Sequence, residues 1–208
     1  MILIGQYDSP FVRRVGIALT LYGLPFEHRP WSIFADADKI RPHNPLTRVP
    51  TLVLDDGDVL IESHLILDYL DSLVPADRVM FPRAEPNRRR ALKVAALATG
   101  LADKAVSLFY EQELHREMSA IWSDRCRTQI LSTMAVLEAD RADRRGGYWF
   151  GHTIGHADVA VAVALRFIAD VHTDLFSRAD FPALSAHSAR LESLSAFRAI
   201  SQPFIPPA

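Results

Sequence analysis

The apolar positions of this chain change texture near residue 75. Before it they come as short runs broken by turn residues; after it they come as long stripes at helical spacing. Ile2-Leu3-Ile4 is a three-residue apolar run that predicts a buried strand, and Gln6-Tyr7-Asp8 breaks it. Ser9-Pro10 then leads into Phe11, Val12, Val15, Ala18, Leu19 and Tyr22, with Gly23 behind them. Serine at the N-cap, proline at the first helical position and glycine past the end punctuate a helix. Pro25 to Arg29 reads as a second strand. From Trp31 to Pro45 the pattern is poor, with one or two helical turns over Ala35 to Ile40, ended by Pro42 and Pro45.

Thr47 to Leu70 carries a denser signal. The run through Leu54 is strand-like, Asp55-Asp56-Gly57-Asp58 is a turn, and Val59-Leu60-Ile61 is strand-like again, which predicts a β-hairpin. Glu62-Ser63 opens a stripe of Leu65, Ile66, Tyr69, Leu70 and Leu73, a helix with Ser63 as the expected N-cap. Pro50 precedes the first strand of the hairpin. A cis bond there would leave the N–H and C=O of Val49 open to an extended peptide, and the start of the Ser63 helix would suit a carboxylate. Taken alone, a hairpin and a capped helix without a ligand also account for the stretch.

Residues 77–86 carry three prolines with the flanking Pro75 and no period, and read as a linker. Asn87 to about Met118 is one long helical pattern, about 45 Å if continuous, with Leu92, Ala95, Ala96, Thr99, Ala102, Val106, Phe109 and Tyr110 near one face. Ser119 to about Arg144 is a second, striped by Ile121, Trp122, Ile130, Met134 and Leu137. Asp158 to Val171 is almost wholly apolar, too short to span a bilayer, and predicts a central core helix. Phe181-Pro182 starts another helix through Leu194, Phe197 to Ile200 a last turn, and Pro203 to Ala208 an extended tail. The expected organisation is a first domain over 1–76 and an all-helical domain over 87–208. In the first, a strand–helix–strand start gives a parallel pair and the hairpin adds antiparallel strands, a mixed α+β sheet.

Composition narrows the function classes. A net charge of −2 argues against a nucleic-acid or anionic-membrane footprint. The Arg13-Arg14, Arg88-Arg89-Arg90 and Arg144-Arg145 clusters read as solvated helix faces or ends rather than a phosphate track. One cysteine, Cys126, allows no intramolecular disulfide, suits a reducing compartment and reads as a small buried apolar residue inside a helix. Met1 to Gly5 has no basic region ahead of a long apolar core, so no signal peptide is expected and a cytoplasmic setting is the default. His152 and His156 fall in a loop between Gly151 and Gly155 with no third ligand, and no metal is expected.

The order Ser9-Pro10-Phe11-Val12-Arg13-Arg14-Val15, then Arg48-Val49-Pro50-Thr51-Leu52, then Glu62-Ser63 with Ile66 and Tyr69-Leu70, resembles the glutathione transferase superfamily. Leu24-Pro25-Phe26-Glu27 and Asn44-Pro45 match the same pattern, and the Ser9 string looks most like the serine-type, tau-like and bacterial members. The resemblance implies a thioredoxin-like N-terminal domain with a four-stranded mixed sheet, an all-α helical bundle behind it, and a homodimer. It implies glutathione as co-substrate, no permanently bound cofactor, and no nucleic-acid or membrane partner.

By the same resemblance, Ser9 would donate its hydroxyl to the glutathione sulfur, with Phe11 beside it. Val49, before a cis Pro50, would pair with the cysteinyl backbone, and Glu62 and Ser63 would hold the γ-glutamyl amine and carboxylate. Other classes activate the thiol with a tyrosine near this point, so Tyr7 stands as the alternative to Ser9. The helix-start context favours Ser9. Tyr7, Asp103, Val106, Phe109 and Tyr110 are the candidates for a second-substrate pocket between the domains. Two departures qualify the match: Asp36 stands near the place of a common lysine, and Gly155 replaces the usual Ser or Thr three residues before Asp158. Asp158 is read as structural, accepting from the Gly155 N–H. The expected reaction is conjugation of the glutathione thiolate to a hydrophobic electrophile, with glutathione-dependent peroxidase activity beside it. A non-catalytic glutathione- or hydrophobic-ligand-binding module on the same scaffold is the alternative.

Overall fold

The strands of this protein are only three residues long: β1 (Ile2–Ile4), β2 (Glu27–Arg29), β3 (Thr51–Val53) and β4 (Val59–Ile61). A computed structural model, which describes residues 1–206, orders them β2-β1-β3-β4. β1 runs parallel to β2, pairing Leu3 with His28, and antiparallel to β3, pairing Leu3 with Leu52; β3 and β4 form the hairpin. This is the thioredoxin-like mixed sheet. Such short strands hold because helices α1 (Pro10–Tyr22) and α3 (Ser63–Ser72) bury apolar faces in the same core as Leu3, Ile4 and Leu52. Val12, Val15 and Leu19 of α1 and Ile66 and Leu70 of α3 are fully buried. Helix α2 (Ala37–Ile40) is a single turn.

α1 is punctuated as its sequence predicts. Ser9 caps it in an extended conformation, Pro10 opens it, and Gly23 closes it at φ 70°, with its N–H turned back to Thr20 O. α3 differs by one residue from the expectation. Glu62, not Ser63, is its N-cap, at φ 67°, and Ser63 is the first helical residue. The chain makes its turn at Glu62, so the Ser63 hydroxyl is not used as a cap and faces Arg14 instead.

The chain divides into two compact units, Met1–Met80 with Leu194–Ala208, and Phe81–Ser193. The last helix, α8 (Ser195–Ala199), therefore belongs with the sheet, although it follows the helical half in sequence. Arg13 holds it there: Nε donates to Ile200 O at 2.9 Å and Nη2 to Phe197 O at 3.1 Å, with the guanidinium over the Phe197 ring. Arg13 and Arg14 are both buried, so the expectation of a solvated face fails for this cluster. Arg13 donates to the two carbonyls and Arg14 to the Ser63 hydroxyl, with Arg14 Nε left without a partner. Beyond α8 the tail has no regular structure through Pro206. Pro207 and Ala208, part of the expected extended tail, lie outside the described residues.

The second unit holds α4 (Asn87–Leu114), α5 (Ala120–Ala142), α6 (His156–Val171) and α7 (Pro182–Glu192). α6 is its apolar centre, buried from His156 to Leu165. The stripe of α4 holds in part: Ala95, Ala102 and Phe109 are buried as expected, but Val94, Ala98, Leu101 and Ala105 face inward with them, while Leu92 and Ala96 are exposed. Alanines surround this helix, so periodicity alone did not fix its face. On α5, Cys126, Ile130, Met134 and Leu137 are buried, but Ile121 is 86% exposed and Trp122 partly so. His156 opens α6 and is buried, rather than lying in a loop with the exposed His152. Carboxylates tie the helix starts: Glu138 accepts from the Ala183 and Leu184 N–H groups, and Glu111 from the Ser119 N–H. Asp158 accepts from the Gly155 N–H at 2.9 Å and the Trp149 N–H at 2.7 Å, a structural role. No described helix is long and apolar enough to cross a membrane.

Candidate functional site

Three backbone features of the first unit converge: the start of α1, the segment before β3, and the start of α3. At the first, Ser9 Oγ accepts a long 3.4 Å bond from the Val12 N–H. That bond uses a lone pair and leaves the Ser9 hydroxyl proton to be given elsewhere. Ser9 and Phe11 are half-buried, so both are reachable. The early amides of α1 bring about half a positive charge to the same place.

The segment before β3 carries the cis peptide bond Val49–Pro50. Its shape is set by Asn44, buried, whose amide donates to Arg48 O at 2.9 Å and Thr51 Oγ1 at 3.1 Å, while its oxygen accepts from the Leu46 N–H. Thr51 Oγ1 in turn donates to Arg48 O at 3.0 Å. Among the described residues, neither the N–H nor the C=O of Val49 has a hydrogen-bond partner. Gly5 brings this segment against α1. It sits at φ 126°, and a Cβ there would lie 2.5 Å from Val12 Cγ2 and 2.8 Å from Val49 Cβ. The left-handed conformation and the missing side chain are both required.

At the start of α3, Ser63 is buried and accepts from Arg14 Nη1 at 3.3 Å. Glu62 is half-buried and lies 3.2 Å from Arg48 Nη1. The opening N–H groups of a helix have no intrahelical acceptor, so α3 offers an anion site, with the Glu62 carboxylate beside it for a cation.

Tyr7 is buried, stacked on His28 with ring centroids 3.8 Å apart. Burial pushes its phenol up to about 12, which keeps it protonated. His28 is lowered by burial, offset in part by its bond with Gly5 O. The Tyr7 N–H donates to Gln202 Oε1 at 2.9 Å and the Ile205 N–H to Asp8 at 3.2 Å, so the C-terminal tail borders the Ser9 turn. Burial raises the Asp8 carboxyl despite those bonds.

Tyr7, Ser9, Phe11, Val49, Pro50, Glu62 and Ser63 thus all lie in the first unit. Asp103, Val106, Phe109 and Tyr110 lie on α4 in the second. Asp103 is exposed and paired with Lys104, Val106 and Tyr110 are half-buried, and Phe109 is buried edge-on to Phe167. Asp36 pairs with Lys39 and accepts from the Ser32 N–H, a local role in α2. Sequence reasoning missed Arg14 and the part played by Asn44. Arg14 had a signal: positions 10, 14 and 18 share the buried face of α1.

Residues 3–78 match the glutathione S-transferase N-terminal domain family and residues 120–190 the C-terminal domain family. An uncharacterised transferase-like protein of Escherichia coli, YibF, is 31% identical over 169 residues, 81% of this chain and 82% of its own. A maleylacetoacetate isomerase of Pseudomonas aeruginosa is 31% identical over 170 residues, 76% and 77% of the two chains. A glutathione S-transferase of Methylobacterium radiotolerans, solved in complex with glutathione sulfonate, superposes with a TM-score of 0.90 at 29% identity, covering 100% of this chain and 98% of its own. Matched domains at both ends of the chain and relatives aligned over most of it carry the assignment: this chain belongs to the glutathione S-transferase family.

Proposed function

We propose that this protein is a serine-type glutathione transferase that joins the glutathione thiolate to a hydrophobic electrophile. The observation that carries the reading is Val49. Its two backbone groups have no partner beside the cis bond, in contact range of the α1 start. An extended peptide laid there would gain a strand-like pair of hydrogen bonds. Its thiol would then reach the Ser9 hydroxyl, its γ-glutamyl carboxylate the start of α3, and its ammonium group Glu62.

The activation asked of the protein is modest. A free thiol has a pKa of about 8.5, and lowering it by two units takes about 2.7 kcal/mol. A hydrogen bond to a charged group contributes about 1.5–3 kcal/mol, and a helix start up to about 2 kcal/mol. Ser9 and the amides of α1 therefore suffice without a general base. The thiol gives its proton to solvent, the sulfur forms a bond to an electrophilic carbon, and the leaving group departs with its electron pair. Serine at position 9 forms no mixed disulfide, which favours conjugation or peroxide reduction over thiol–disulfide exchange.

Retention on immobilised glutathione followed by conjugation of chloro-dinitrobenzene tests the reading. Binding with turnover is expected. Binding without turnover over a panel of electrophiles would assign a carrier module instead. Turnover of a maleyl-substituted diketo acid alone would move the protein to the isomerase chemistry named for its Pseudomonas relative. Homodimer formation belongs to the same proposal and is read by light scattering of the purified chain.

A further inference from the structure

Asp8 stands immediately before Ser9, and the far end of the chain holds its carboxylate. Oδ2 accepts from the Ile205 N–H at 3.2 Å, and the Gln202 side chain and the Ser9 N–H also hydrogen-bond to the carboxylate. Gln202 Oε1 accepts from the Tyr7 N–H at 2.9 Å. An amide side chain accepts and donates at once, so this one residue bridges Tyr7 and Asp8. The base of the tail is anchored separately. Arg13 of α1 donates to the carbonyls of Phe197 and Ile200, and Gly16 lets Ile200 lie against α1, where a Cβ would come within 2.8 Å of Ile200 Cγ2. Asp8 is half-buried and, among the described residues, has no cationic partner. The titratable groups of the adjoining elements are engaged elsewhere: Arg13 on those carbonyls, His28 of β2 on Gly5 O, with Tyr7 kept protonated.

We infer that Gln202 is a positioning residue for the thiol: it holds the Asp8 carboxylate on the C-terminal tail and so keeps it from the Ser9 hydroxyl and the opening amides of α1. This rests on the glutathione reading above. A carboxylate brought close to a thiol disfavours its ionisation. It is also a rival for the same donors, since a helix start and a hydroxyl serve either anion. The tail answers both problems without a cation, because the Ile205 N–H and the Gln202 amide satisfy the carboxylate where it is. With Gln202 gone, the Ser9 proton meant for the sulfur becomes an alternative partner for Asp8.

The test follows ionisation of the bound thiol, by ultraviolet absorbance of the glutathione complex, in wild type, Gln202→Met, Asp8→Asn and the double variant. Gln202→Met keeps the length of the side chain and loses both hydrogen bonds; Gln202→Ala takes its place should that variant not fold. The Gln202→Met midpoint is expected to lie about half a pH unit above wild type, the scale of a carboxylate moved towards an anion in a solvent-screened site. Asp8→Asn should lie below wild type, and Gln202→Met should shift nothing once Asp8 has been replaced. A purely structural Gln202 would change stability or glutathione affinity and leave the midpoint where it was. An unmoved midpoint in Gln202→Met, an undiminished shift in the Asp8→Asn background, or an Asp8→Asn midpoint at or above wild type overturns the role of Gln202 while the glutathione reading stands. A wild-type protein that binds no glutathione overturns both.

Discussion

Val12 and Val49 close on Gly5 from two sides, one from the first turn of α1 and one from the residue before the cis bond. Nothing but hydrogen fits between them. Gly5→Ala is therefore expected to destabilise the protein, with overpacking alone costing about 1–3 kcal/mol and the left-handed φ adding to it. Because the displaced atoms belong to Val12 and Val49, glutathione affinity should fall with stability. A denaturant midpoint and a ligand titration read the two effects.

Arg48, largely exposed, pairs with the half-buried Glu62 in a solvent-screened contact, and an ion pair of that kind contributes about 0–1 kcal/mol. Arg48→Ala should leave the unfolding midpoint almost where it was. Glu62→Gln should be as mild for stability yet weaken glutathione by about tenfold, since a charge-assisted bond to the ligand ammonium is lost. Equal glutathione affinity in wild type and Glu62→Gln would remove Glu62 from the ligand site.

In the second unit, His187 packs edge-on against Trp149, 3.6 Å from Asp158, with neither ring nitrogen hydrogen-bonded. Burial, reinforced by the guanidiniums of Arg141 and Arg190, pushes it down to about 3. Above a pH of about 6.5 it is neutral folded or unfolded. Below that, the unfolded chain takes a proton the folded one refuses, so stability drops as pH falls from about 6.5 towards 3, by up to about 1.4 kcal/mol per pH unit. Asp158 is raised by burial and acts in the opposite sense, so the quantity to measure is the difference between wild type and His187→Leu. That difference should grow on acidification and become independent of pH above neutrality, where only the packing change of the substitution remains.

What could be read in the sequence followed local rules. Ser9-Pro10 and Gly23 mark the ends of α1 through backbone chemistry that needs no tertiary information, and the Asp/Gly cluster after Leu54 does the same for the hairpin. Asp158 and Gly155 were legible for the same reason. Long-range partners were not. Arg13 and Arg14 look like surface charge until the carbonyls of Phe197 and Ile200 and the hydroxyl of Ser63 are brought to them. The buried face of α4 was ambiguous because alanine permits several, and Ile121 kept an apolar identity in an exposed place. The Val49–Pro50 isomer is a choice between two allowed states that composition does not make.

Tyr7 and Ser9 make opposite predictions as thiol activators. A phenol held at about 12 by burial remains a neutral donor throughout the working range. Tyr7→Phe is expected to keep most of the conjugation rate and its pH profile, with any loss in stability from the His28 stack. Ser9→Ala should cut turnover by up to about a hundredfold, the scale of a missing positioned donor. Ser9→Cys should gain disulfide reductase activity. A collapse of rate in Tyr7→Phe with Ser9→Ala unharmed would reverse the assignment.

The most direct measurement is the ultraviolet absorbance of thiolate in the glutathione complex, titrated with pH for wild type and Ser9→Ala. In wild type the bound thiol should ionise well below the free value of about 8.5, and in Ser9→Ala the midpoint should move back up towards it. A wild-type midpoint at the free value, or one that Ser9→Ala leaves unmoved, would contradict activation at Ser9.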